Sequence, residues 1–157
     1  MIFGRFNLVL PIAVVAAAVA CSPGGSGTRV PEGGPAIGAP EVPWRGKTHD
    51  ERQGFMGAHV EPAMRHLFKS FNAKAYAGFE CETCHGADMD VVDFRMPNSL
   101  YSLAAKDTIA DATSYDEKTT KFMMEKVVPT FAKLLSETPK EPGQGGGVSC
   151  FTCHPHD

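Results

Sequence analysis

Two short stretches of this chain carry residues that can do chemistry as a set. Cys81-Glu82-Thr83-Cys84-His85 lies at mid-chain, and Cys150-Phe151-Thr152-Cys153-His154 lies almost at the end. Both read Cys-x-x-Cys-His. Two thiols three positions apart can reach the two vinyl groups of one porphyrin and form thioethers. The histidine next to them lies against the iron as its proximal ligand. The pattern is that of covalent haem c attachment, through Cys81 and Cys84 in one copy and Cys150 and Cys153 in the other, with His85 and His154 as proximal ligands.

Other chemistries also use paired cysteines. Zinc ribbons separate their pairs by roughly 15–20 residues, whereas 65 residues lie between Cys84 and Cys150. Zinc also requires no histidine after each pair. A thioredoxin-like redox pair belongs to a βαβ pattern, and none is readable here. Two structural disulfides are open to an exported chain. Two copies of the motif, each with its histidine and behind an export leader, weigh toward two covalently bound haem c groups.

The chain has 157 residues, one domain's worth, and four of its five cysteines sit in the two motifs. Residues 1–20 read as a signal peptide: Arg5, then an apolar run from Leu8 to Ala20, too short to span a bilayer as a helix. That run ends Ala18-Val19-Ala20-Cys21, which resembles the lipobox of bacterial lipoproteins. Cys21 is therefore expected to be lipidated and to anchor the mature chain to a membrane. Ser22 after it favours, by analogy, the outer membrane over the inner. The expected location is the bacterial cell envelope, on the outer membrane facing the periplasm or the cell surface. Processing removes one of 15 basic residues and none of the 18 acidic ones, so acids exceed bases by four. This argues against nucleic acid as a partner and leaves room for a basic redox protein. Residues 21–47, rich in Gly and Pro, read as a flexible tether, with Trp44 packing on the domain edge.

The elements that must place the motifs begin at residue 48. Thr48-His49-Asp50-Glu51 is a capping-box pattern, and Met56, Val60, Ala63, Met64, Leu67 and Phe71 recur at helical spacing behind it. Pro62 falls inside this run and is expected to kink it or split it in two. Between 86 and 113, Val91, Val92 and Phe94 suggest a short extended piece. Leu100, Leu103 and Ala104 suggest a turn or two of helix, and Asp88, Asp90 and Asp93 a solvated acidic loop. Ser114-Tyr115-Asp116-Glu117 reads as a second capping box. With an offset of 67, Phe55-Met56 fall on Phe122-Met123, Val60 on Val127, Pro62 on Pro129 and Leu67 on Leu134. The haem motifs are offset by 69, which places a two-residue insertion in the Pro/Gly-rich stretch 136–147. The chain is thus an internal duplication of capped helix, loop and Cys-x-x-Cys-His, over about 48–90 and 114–157.

Only three residues come after His154, so a protein sixth ligand for the second haem must come from upstream. A thioether or an imidazole would serve. Met56 and Met123 are the methionines that occupy equivalent positions in the two copies, and they are expected to be the distal ligands. A methionine on an apolar helix face is otherwise core. Met64, Met96, His59 and His66 are the alternatives, with bis-His ligation the main rival chemistry.

A helix that supplies a methionine, then a loop, then Cys-x-x-Cys-His, in tandem, resembles the tetrahaem cytochrome c subunit of photosynthetic reaction centres. Phe122-Met123 and Val148-Ser149-Cys150-Phe151-Thr152-Cys153-His154 carry the likeness. It extends over 48–157, with two units rather than four, and the prolines 62 and 129 depart from it. The resemblance implies a lipoprotein whose helix methionine is the sixth ligand and whose motif histidine is the fifth. The reading that results is a mostly α dihaem c-type domain with little or no sheet, carrying electrons between other redox proteins. A small haem enzyme, a peroxidase or reductase with one open iron, is the second reading. So small a domain builds little core of its own, and the porphyrins are expected to supply much of it.

Overall fold

The computed structural model describes residues 42–157. The expected signal peptide, Cys21 and the tether as far as residue 41 lie outside them. Among the described residues the chain is mostly helical and contains no strand, only two isolated bridges. No helix among them is long and apolar enough to cross a membrane.

Helix α1 (His49–Phe55) starts at Thr48, where the hydroxyl accepts from the Glu51 amide and the Glu51 carboxylate returns to the Thr48 amide at 2.7 Å. This is the expected capping box. The helix does not run straight into α2 (Glu61–Phe71). A π turn, Met56–Val60, joins them, closed by the Glu61 amide donating to the Met56 carbonyl. The cause is Pro62. It has no N–H to give, and its ring would collide with the carbonyl four residues back in an α-helix. Widening the preceding turn relieves both, and Pro62 falls in the first turn of α2, where a missing N–H costs nothing.

The same device recurs. Helix α4 (Thr108–Phe122) leads through a second π turn, Met123–Val127, into α5 (Val128–Leu135), with Pro129 at its start and the Val128 amide on the Met123 carbonyl. Each π turn packs against the second helix of the other pair, the first on α5 and the second on α2. The seam between them is the core: Val60, Met64, Phe68, Ala132, Leu134 and Leu135 are buried. Phe71 stacks on Phe122 at 4.0 Å, and Phe68 meets Phe122 edge-on at 5.2 Å.

Four local expectations are corrected. The second cap is not Ser114 but Asp116, which leaves helical geometry at φ −157° and accepts the Thr119 amide at 3.0 Å. Ser114 lies inside α4 because residues 108–113 are already helical. Residues 91–94 form turns rather than an extended piece, with Asp93 and Phe94 both left-handed. Residues 100–104 are not helical; Leu103 instead pairs with the chain's last residues. Finally, Trp44 lies on the edge of the folded body as expected, but that body begins before residue 48, so the tether ends earlier than residue 47. Trp44 packs on Phe55, and Arg45 pairs with Glu137 at 2.8 Å.

Candidate functional site

Each Cys-x-x-Cys-His motif forms a single helical turn, α3 (Glu82–His85) and α6 (Cys150–Cys153). The threonine between the cysteines sets both. Thr83 Oγ1 accepts the Glu80 amide at 3.1 Å, and Thr152 Oγ1 accepts the Ser149 amide at 2.9 Å. The residue two before each first cysteine, Phe79 or Val148, is buried in the core and pins the turn from beneath. These threonines carry a positioning role that their identity in both copies already signalled.

The histidines are fixed with one nitrogen occupied. His85 Nδ1 donates to the Phe94 carbonyl at 3.1 Å, and His154 Nδ1 donates to the Tyr101 carbonyl at 2.8 Å. A carbonyl oxygen can only accept, so each ring presents an N–H at Nδ1, and in the neutral ring this leaves Nε2 as the nitrogen able to bind a metal. Burial moves His85 below the usual imidazole range against the opposing effect of the Phe94 bond, which favours the neutral ring a metal requires. Both acceptors come from one segment, residues 94–101. Its start is strained: Asp93 and Phe94 sit at φ 55°, uncommon for residues with a Cβ. Asn98 fastens the segment by donating to the His85 carbonyl at 2.7 Å and to Asp88 at 2.8 Å, and Ser99 donates to Asp88 at 2.6 Å. Asp88 is thus a tie rather than a merely solvated acid. Gly86 comes after His85 at φ +82°, where a Cβ would collide with Ser99 Oγ.

No disulfide joins the four motif cysteines. Burial pushes Cys84 up to about 11, with a smaller effect from Cys81. Burial pushes Cys153 up to about 12, with lesser effects from Cys84 and then Cys150. Both cysteine pairs line the same cavity. Among the described residues no three His, Cys, Asp or Glu side chains converge as a metal cluster of the zinc type.

The motifs open onto one cavity of about 950 Å³. That is at the upper end of the size range of cofactor pockets and far beyond the packing gaps an interior tolerates. Met56 and Met123 line it, half-buried, at matched positions where each π turn begins. Among the alternatives, Met64 and Met96 also line it, but Met64 is part of the core at 3% exposure. His59 and His66 are exposed and do not line the cavity. His49 does, and it reaches Asp93 at 3.2 Å.

Helix and motif pair in the order of the chain. His49 of α1 touches the loop that holds His85, while Tyr115 of α4 stacks at 4.6 Å on Tyr101, whose carbonyl holds His154. Met56 lies two helical turns beyond His49, and Met123 lies two turns beyond Asp116. Compared with known proteins, the chain matches no family model, and no curated protein or solved structure is significantly similar to it.

Proposed function

We propose that the chain is a dihaem c-type cytochrome that carries electrons in the cell envelope. One observation supports this above the others. Two thiol pairs, two imidazoles each held through Nδ1 and two thioethers at matched positions all border a single largely apolar cavity. That donor set fits a pair of porphyrins held covalently, each iron taking one imidazole and one thioether.

In this reading Cys81 and Cys84 hold one porphyrin through thioethers, and Cys150 and Cys153 hold the other. Each bound haem supplies a one-electron Fe(III)/Fe(II) couple. The protein's own residues do the rest. The Phe94 and Tyr101 carbonyls fix the imidazole planes and make Nε2 a better donor. The π turns place Met56 and Met123 on the cavity wall. Apolar walls exclude water, which together with the axial ligand sets the potential. Because both motifs line one cavity, two cofactors held there would lie close enough to exchange electrons within the chain. Lipid attachment at Cys21 and a basic redox partner complete the reading.

The carrier requires both irons to be filled by protein ligands, whereas the enzyme reading requires one to be open. Carbon monoxide added to the reduced holoprotein separates them. A carrier leaves its spectrum unchanged and does not turn over peroxide. Stoichiometric carbon monoxide binding with fast peroxide turnover would replace the carrier by the enzyme.

A further inference from the structure

The cavity is walled by the same helix face twice, and the two copies differ in charge. The offset of 67 carries His49, Arg52 and Gln53 of α1 onto Asp116, Thr119 and Thr120 of α4, and all six residues line the cavity. Arg52 is held rigidly. Its Nε donates to the Trp44 carbonyl at 3.3 Å, its Nη2 donates to the Arg45 carbonyl at 3.2 Å, and the guanidinium lies 5.4 Å from the Trp44 ring. These partners are neutral, and Arg52 forms no ion pair among the described residues. Of the other charged residues on this side, Glu61 and Glu80 pair with Arg65, and Asp93 contacts His49. Arg95, whose Nε donates to the Val92 carbonyl at 3.0 Å, has no carboxylate partner among the described residues and adds to the positive sign.

The second copy has the opposite sign. Asp116 takes the Thr119 amide at 3.0 Å and the Thr119 hydroxyl at 2.8 Å, and these bonds hold its carboxyl below the usual range, so it is ionised. Thr119 stands where the first copy has Arg52. A fixed positive charge beside a redox centre favours the reduced form, and a negative one favours the oxidised form.

We propose that Arg52 and Asp116 make the two cofactor sites electrically unequal, so that the site of His85 and Met56 has the higher reduction potential. This rests on the dihaem reading. An electron moving within the chain then leaves the iron beside His154, which is oxidised, and reduces the iron beside His85. No bond or proton is exchanged.

The test is a potentiometric titration of the purified full-length holoprotein, monitored by absorption, after haem per chain has been counted. The wild type shows two one-electron waves. Arg52→Gln lowers the upper wave and leaves the lower one near its place, whereas Arg52→Lys keeps both. Asp116→Asn, which retains a capping side chain, raises the lower wave. Thr119→Arg, which leaves the Arg52 contacts untouched, raises the lower wave and narrows the gap. A single unresolved wave overturns the proposal. So does a lower wave that moves with Arg52, or two waves indifferent to all these substitutions in chains that hold two haems. A wild type with fewer than two haems instead removes the dihaem reading, and the proposal with it.

Discussion

The two Cys-x-x-Cys-His turns are near copies, yet they are held by different means. The approach to each is shared: a helix, a π turn that starts at methionine, a buried apolar residue, and a threonine cap. The exit from each is not. After His85 the chain turns through Gly86 and folds back within ten residues to present the Phe94 carbonyl. After His154 the chain has three residues left and relies on Tyr101, 53 residues upstream. The last residues lock that borrowed segment in return. The Leu103 amide donates to the Pro155 carbonyl at 2.9 Å, and the Ala105 amide donates to the Asp157 carboxylate at 3.0 Å. The first site is therefore closed locally and the second at long range, where loop closure costs more entropy. The way into each turn is alike, and the way out of each is solved separately.

Substitutions break or sharpen this contrast, and the largest effect is expected at the methionines. Under the dihaem reading, Met56→Ala and Met123→Ala each open one iron. Each variant should take up one equivalent of carbon monoxide per chain in a difference spectrum. Two equivalents or none would show that the methionines are not separate ligands. Next comes removal of residues 155–157. It should disorder the ligation beside His154 while leaving the other site low-spin, and a change spread evenly over both haems would erase the local and long-range distinction. Gly86→Ala is the converse. The left-handed backbone and the Ser99 clash should cost about 1–3 kcal/mol in urea unfolding, with the spectral change confined to the His85 site. The smallest effects are at the shared caps. Thr83→Val and Thr152→Val should each cost about 1 kcal/mol, and a large difference between them would show that the two turns are not equivalent.

The shared half of the structure was legible in the sequence, and the unshared half was not. The capping box at Thr48, the helical spacing behind it and the match of Met56 with Met123 are side-chain patterns. They survive into the structure because local chemistry sets them. The prolines marked where the helices would be interrupted, but not that the interruption would be a π turn placing each methionine at its start. The orienting groups for His85 and His154 are backbone carbonyls, which any residue supplies, so the identities of Phe94 and Tyr101 carry no signal. Residues 100–104 looked helical in isolation. Their path is decided by pairing with the chain's end, a partner that local spacing cannot reveal. Ser114 satisfied the same four-residue pattern as Thr48, but Asp116, two residues on, does the capping. The contrast between Arg52 and Thr119 becomes visible only when the two copies are aligned and both are found on one cavity wall.

The most direct test of the central claim is the intact mass of the mature protein from a host that matures cytochromes c, together with haem quantified per chain. The account predicts two haems that survive denaturation, one on Cys81 and Cys84 and one on Cys150 and Cys153. A chain that retains four unmodified motif cysteines in that host would contradict it.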